Sequence, residues 1–267
     1  IAAFGLLAFL GLLAAAPAAR AQYFGKNKVQ YDDFEWSVIV TDHFHVYFYT
    51  DEEEAAKDAA RMAERAYSKL SKILGHQIKE PVPLILYASH TDFQQTNALP
   101  GLISEGTGGV TEFLKRRVIL PFTGSYAELD HVLTHELVHA FQVDILIGRE
   151  RSPLSGRIAY TPPLWFMEGM AEYLSVSTVD NHTAMWLRDA ALEGYLTTLA
   201  ELEQTYDIRV YRFGQSIWEF IDHRYGIQKI GELLKGVAKR GSVERAVQAS
   251  LGISLEDLSK QWSEQVR

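Results

Sequence analysis

His135-Glu136-Leu137-Val138-His139 is the stretch that decides how this chain folds. On a helix, positions i and i+4 lie one above the other on a single face. Two imidazoles so placed can grip one metal ion, and the intervening glutamate can reach a water on that ion. The competing reading is a solvated helix face with two satisfied histidines, and the flanking residues weigh against it. Ser125-Tyr126-Ala127-Glu128 is a capping box upstream, and Gly148 is a terminator downstream. Together they predict one helix through the motif to about Ile147. Leu129, Val132, Leu133, Leu137, Val138, Phe141 and Ile145 give that helix a broad apolar surface, so it is expected to be buried on several sides.

Working outward, strands concentrate before the motif and helices after it. Phe34–Val40 and His43–Tyr49 read as two strands joined near Thr41-Asp42. Thr50-Asp51-Glu52-Glu53 is a second capping box, opening a long helix to about Leu74 with Gly75 as its stop. Val82–Tyr87 reads as a buried strand and Ser89–Thr96 as a short helix. Gly106–Gly109 is a turn into a strand over Val110–Leu114, and Val118–Phe122 is a further strand. Beyond a polar loop at Gly148–Pro163, helices are predicted at about 164–176, 182–202, 210–225, 227–239, 243–250 and 255–265. Lys115-Arg116-Arg117 is expected on a solvated edge.

Two histidines do not complete a catalytic zinc site, which takes three protein ligands and leaves one position open. The strongest candidate for the third is Glu168, within Leu164-Trp165-Phe166-Met167-Glu168-Gly169-Met170-Ala171-Glu172-Tyr173. A carboxylate among large apolar residues is costly unless it is paired or binds a cation. Glu172, one turn on, is suited to accept a hydrogen bond from a ligand imidazole; the alternative is an exposed helix glutamate. His131 lies one turn before His135, but i, i+4 and i+8 drift round the helix axis by about 40° per step, so it is assigned to the rim.

His135–His139 followed by Trp165–Tyr173 resembles the gluzincin clan of metallopeptidases. The phrase Glu168-Gly169-x-Ala171-Glu172-Tyr173 is closest to bacterial peptidase-MA-like domains often joined to Tol-type β-propellers. The resemblance implies one zinc ion held by His135, His139 and Glu168, with Glu136 as the base. Tyr211-Arg212-Phe213-Gly214 resembles the Tyr-x-x-Gly phrase that supplies an oxyanion donor in one-zinc aminopeptidases; His223 is the rival donor. Those aminopeptidases bind a free amino terminus through a Gly-x-Met-Glu-Asn phrase, whereas this chain reads Gly108-Gly109-Val110-Thr111-Glu112-Phe113. Cleavage inside a peptide is therefore favoured. Gly109, Val110, Thr111 and Glu112 are expected along the substrate cleft, with Glu112 at an exposed edge.

Composition bounds the rest. The chain has 267 residues, 47% of them hydrophobic, which suits one domain with a full core. A net charge of −8 without a basic stripe gives no basis for a nucleic-acid partner. There is no cysteine, which removes thiol catalysis, thiolate-bound zinc and lipid attachment after the leader. Ile1–Ala16 is apolar and small, Pro17 breaks it, and Ala19-Arg20-Ala21 forms a small-x-small cleavage pattern. Residues 1–21 are thus expected to be a signal peptide of a periplasmic or secreted protein.

The sequence accordingly predicts an α+β, thermolysin-like gluzincin domain over 22–267. Its N-terminal mixed β-sheet with helices spans about 22–124, and a mostly α-helical C-terminal lobe about 125–267. The function expected is zinc-dependent peptide hydrolysis of the metalloendopeptidase kind, a zinc-bound water being activated by Glu136. The alternative is a non-catalytic zinc-containing binding or scaffold domain of a larger envelope protein, for which the resemblance implies a C-terminal β-propeller partner.

Overall fold

The computed structural model describes residues 28–49, 52–99, 101–113, 115–147, 160–176 and 180–267. The leader, Thr50-Asp51 and most of the loop at Gly148–Pro163 lie outside these residues. Among these residues five strands form one sheet: β1 (Ser37–Val40), β2 (Phe44–Phe48), β3 (Val82–Tyr87), β4 (Val110–Glu112) and β5 (Arg117–Pro121). Their spatial order is β1-β2-β3-β5-β4. The hairpin β1–β2 and the outer pair β4–β5 are antiparallel, while β2, β3 and β5 run parallel.

Alternation sorts the side chains between two faces. Phe44, Val46, Phe48, Val82, Leu84, Leu86, Val118 and Leu120 face the helices and join the main core. Tyr49, Tyr87, Phe93, Ile103 and Ile119 form a smaller cluster on the other side, beneath α2 (His90–Gln94). Helix α1 (Glu53–Leu74) covers the main face through an alanine-rich stripe at Ala56, Ala59, Ala60, Ala63 and Ala66, small enough for close helix–sheet approach. It ends at Gly75 with φ +58°, the left-handed stop its glycine allows. Its N-cap is Glu52, which makes no side-chain cap bond.

Ser125 caps α3 (Tyr126–Ile147) by accepting from the Glu128 amide at 3.3 Å. This helix is buried along most of its circumference, as its all-round apolar surface requires. Among the described residues, seven helices follow: α4 (Leu164–Val176), α5 (Asn181–Glu193), α6 (Leu199–Leu202), α7 (Arg209–Tyr225), α8 (Gln228–Arg240), α9 (Val243–Leu251) and α10 (Leu255–Val266). The single helix expected over 182–202 is divided, because Gly194 takes φ +75° and caps α5. The architecture is α+β, with the mixed sheet N-terminal and the helical part C-terminal. Among the described residues, no helix is long and apolar enough to cross a membrane.

Candidate active site

Helix α3 brings two of the sequence-predicted ligands together and α4 supplies the third. His135 Nε2 and His139 Nε2 are 3.2 Å apart, and Glu168 Oε2 lies 3.3 Å from the first and 3.2 Å from the second. Zinc bonds of about 2.0–2.2 Å in a tetrahedron separate ligand atoms by about 3.3–3.5 Å. The three atoms therefore fit one such ion, and among the described residues they are the group of His and carboxylate side chains that converges in this way.

The electrostatics carry the same message. Burial opposes charge on His139, yet Glu168 and Glu136, with Gln142, outweigh it and push the imidazole up to about 9. Burial also opposes charge on Glu168, but His135 and His139 hold its carboxyl well below the usual carboxylate range. Both shifts favour the charged forms, so the cluster is an environment in which positive charge is stabilised by Glu168 and Glu136.

The candidate third ligand, Glu168, is positioned by a close helix crossing. A Cβ at Gly214 of α7 would lie 2.6 Å from the Trp165 carbonyl oxygen and 2.8 Å from Gly169 Cα. Two glycines thus let the α4 and α7 backbones touch, one residue from Glu168 and three from Tyr211. Trp218 Nε1 donates to the Phe166 carbonyl at 3.0 Å and Gln142 Nε2 to the Met167 carbonyl at 2.9 Å, so α4 is held from both flanks.

The structure places the other predicted residues as follows. Glu136 is buried, and the single hydroxyl proton of Thr111 on β4 is shared between its Oε2 at 2.7 Å and its backbone carbonyl at 2.8 Å. Gly109 passes directly over this turn of α3, since a Cβ there would meet Val132 at 2.9 Å and Glu136 Cγ at 3.1 Å. Tyr211 stacks beside His135 with ring centroids 6.2 Å apart. Burial, then the fields of Glu168, Glu136 and Glu172, pushes its hydroxyl up to about 12, so it is a proton donor at neutral pH. His223 is exposed, 12 residues and about 18 Å further along α7. Of the two oxyanion candidates, only Tyr211 reaches the cluster.

Glu172 is buried rather than exposed, with Oε1 3.9 Å from His135 Nδ1 and Oε2 3.7 Å from Arg212 Nη1. His131 stands 4.0 Å from the same carboxylate, outside the ligand triangle. Val110 packs into the smaller cluster across the sheet. Glu112 departs from the exposed edge expected of it: it is buried, accepts from Arg117 Nε at 3.2 Å and caps the Lys115 amide at 3.0 Å. Arg116 likewise leaves the solvated edge and pairs with the buried Asp144 of α3, which His76 Nε2 also meets at 2.7 Å. Sequence reasoning missed Gln142, whose Oε1 stands 2.8 Å from His139 Nδ1, and it missed the contact between Thr111 and Glu136.

The family model described as the Peptidase MA superfamily matches residues 62–267. Among solved structures, the M1 zinc metallopeptidase from Deinococcus radiodurans is similar at 17% identity with a TM-score of 0.47, over 86% of this chain and 51% of that one. A substituted form of the same enzyme gives 16% identity and a TM-score of 0.47, over 88% and 53%. That form bound to a Tyr-Ser-Ala substrate gives 16% and 0.45, over 86% and 52%. The chain spans about half the length of these structures. No curated protein matches it.

Proposed function

The chain belongs to the Peptidase MA superfamily, and on that footing we propose that it hydrolyses peptide bonds with one zinc ion held by His135, His139 and Glu168. The observation that carries this reading is the triangle of ligand atoms at 3.2–3.3 Å, with the buried carboxylate of Glu136 close enough to bear on the charge of His139 and hydrogen-bonded by Thr111. Zinc in such a site supplies Lewis acidity, polarising a carbonyl and making water acidic near neutral pH.

The chain's own residues do the rest. Glu136 takes the proton of the attacking water and returns it to the leaving amine. Tyr211, kept protonated by its burial, donates to the oxygen on which negative charge develops. Among the described residues β4 pairs only with β5, and an extended peptide can add to its outer edge beside Thr111. Glu112 is engaged by Arg117 and the Lys115 amide, so it does not serve as an anchor for a free amino terminus. This favours cleavage inside an extended chain over removal of terminal residues. Ile1–Ala21 supports the further reading that the enzyme works outside the cytoplasm.

A non-catalytic zinc domain, joined to a β-propeller or another envelope partner, is the second reading. The buried, hydrogen-bonded Glu136 argues against it, since a binding scaffold has no use for a base there. Elemental analysis of the purified chain should give about one zinc, lost in His135→Ala, His139→Ala and Glu168→Ala together with cleavage of an unfolded labelled protein. Full zinc in Glu168→Ala would remove that residue from the ligand set.

A further inference from the structure

Gln142 is completely buried and makes contacts that no feature of the zinc-binding motif explains. Its side-chain nitrogen lies 2.9 Å from the Met167 carbonyl oxygen and 3.4 Å from Met170 Sδ, and its oxygen lies 2.8 Å from His139 Nδ1. A backbone carbonyl only accepts, so the NH2 of the amide must face Met167. The amide oxygen is then left facing His139, and an oxygen only accepts too. Nδ1 must therefore carry the proton, and the neutral imidazole presents its lone pair at Nε2, the atom in the ligand triangle.

We propose that Gln142 is the positioning residue of this site: its amide fixes the tautomer of His139 and pins the turn bearing Glu168 to the helix bearing both histidines. The inference rests on the zinc reading above. Met167 immediately precedes Glu168, so one side chain ties the second ligand to the third. An aspartate or glutamate would accept from His139 equally well but would turn a second acceptor toward the Met167 carbonyl; only an amide serves both. Being neutral, it also adds no negative charge beside Glu136, Glu168 and Glu172. His135 lacks an equivalent, since Glu172 stands 3.9 Å from its Nδ1.

Gln142→Met keeps the volume and removes both hydrogen bonds. Gln142→Glu loses the bond to Met167 but keeps an acceptor for Nδ1–H. The difference between them therefore reads the acceptor opposite Nδ1–H together with the negative charge the carboxylate adds, while the bond to Met167 is lost in both. Zinc affinity is measured on the full chain by competition with a chromogenic chelator, with circular dichroism of the metal-free proteins checking the fold. Gln142→Met should bind zinc about 10–100-fold more weakly than wild type, and Gln142→Glu should recover most of that loss. Wild-type affinity in Gln142→Met, or an equal fall in both variants, overturns the proposal. If the buried carboxylate prevents folding, cobalt-substituted Gln142→Met decides instead: an altered visible spectrum is expected, and an unchanged one overturns the assignment. A wild-type chain that binds no zinc at all would sink the zinc reading itself.

Discussion

Alanine at Gly214 would place a methyl group against the backbone of α4, 2.6 Å from the Trp165 carbonyl oxygen, 2.8 Å from Gly169 Cα and 3.2 Å from Gly169 N. None of these atoms belongs to a side chain that can rotate away. Ordinary contact begins at about 3.5 Å, so α7 must retreat from α4 by roughly 0.8 Å. Overpacking of this kind costs about 1–3 kcal/mol, offset by about 0.5–1 kcal/mol for replacing glycine inside a helix. The net loss of about 1–2 kcal/mol lowers Tm by roughly 2–8 °C in a domain of this size. The larger effect falls on the chemistry. Tyr211 lies on α7 one turn before Gly214, whereas the proposed ligands lie on α3 and α4, which Gln142 holds together. A displacement near 1 Å can cost about 10²-fold in rate. Gly214→Ala should therefore keep one zinc per chain while kcat/KM on an unfolded, fluorescently quenched protein falls about 10–100-fold. Thermal melts, elemental analysis and initial rates on one preparation check all three. Wild-type Tm and wild-type rate together would refute the claim that this glycine crossing sets the distance from Tyr211 to the metal ligands.

Other substitutions separate the remaining roles. Thr111→Val keeps the shape of β4 but removes the 2.7 Å bond to Glu136; kcat should fall with zinc content unchanged, and an unaltered kcat would leave Thr111 a packing residue. Tyr211→Phe removes one donor to the developing oxyanion and should lower kcat about 10²–10³-fold, again with full zinc. Comparable activity in His223→Ala is expected from that residue's exposure, and a loss there equal to that of Tyr211→Phe would reverse the assignment. Mass spectrometry of the exported product should find a chain beginning at Gln22; retention of Ile1–Ala21 in the membrane fraction would mean an uncleaved anchor.

What the sequence disclosed followed from periodicity and from punctuation. The four-residue spacing of His135 and His139, the apolar run around Glu168 and the turn residues at Ser125, Gly75 and Gly148 are local signals. They located α1, α3, α4 and the last helices to within a residue or two at most ends. Gly194 was an equally local signal for the break after α5, concealed by good helix formers on both sides. The misses were contacts between distant segments. Glu112 is opposite Arg117 across an antiparallel pair, where unlike charges attract, and Arg116 meets a carboxylate 28 residues away on α3. Alternation places Gly109 and Thr111 on one strand face, but it does not say that this face meets Glu136. Gln142 reads in sequence as a polar residue of a helix. Its position at i+3 from His139, on a helix with little solvent-facing surface, was the only local hint of its role.

The central claim is that Glu136 is a base beside a metal rather than a ligand or a structural carboxylate. Glu136→Gln tests it most directly, because glutamine keeps the volume and can still accept from Thr111 but cannot take a proton from water. Hydrolysis of an unfolded protein should fall by about 10²–10⁴-fold or more, while the variant holds one zinc per chain and melts close to wild type. A Glu136→Gln protein that retains its zinc and cleaves at the wild-type rate would contradict the account.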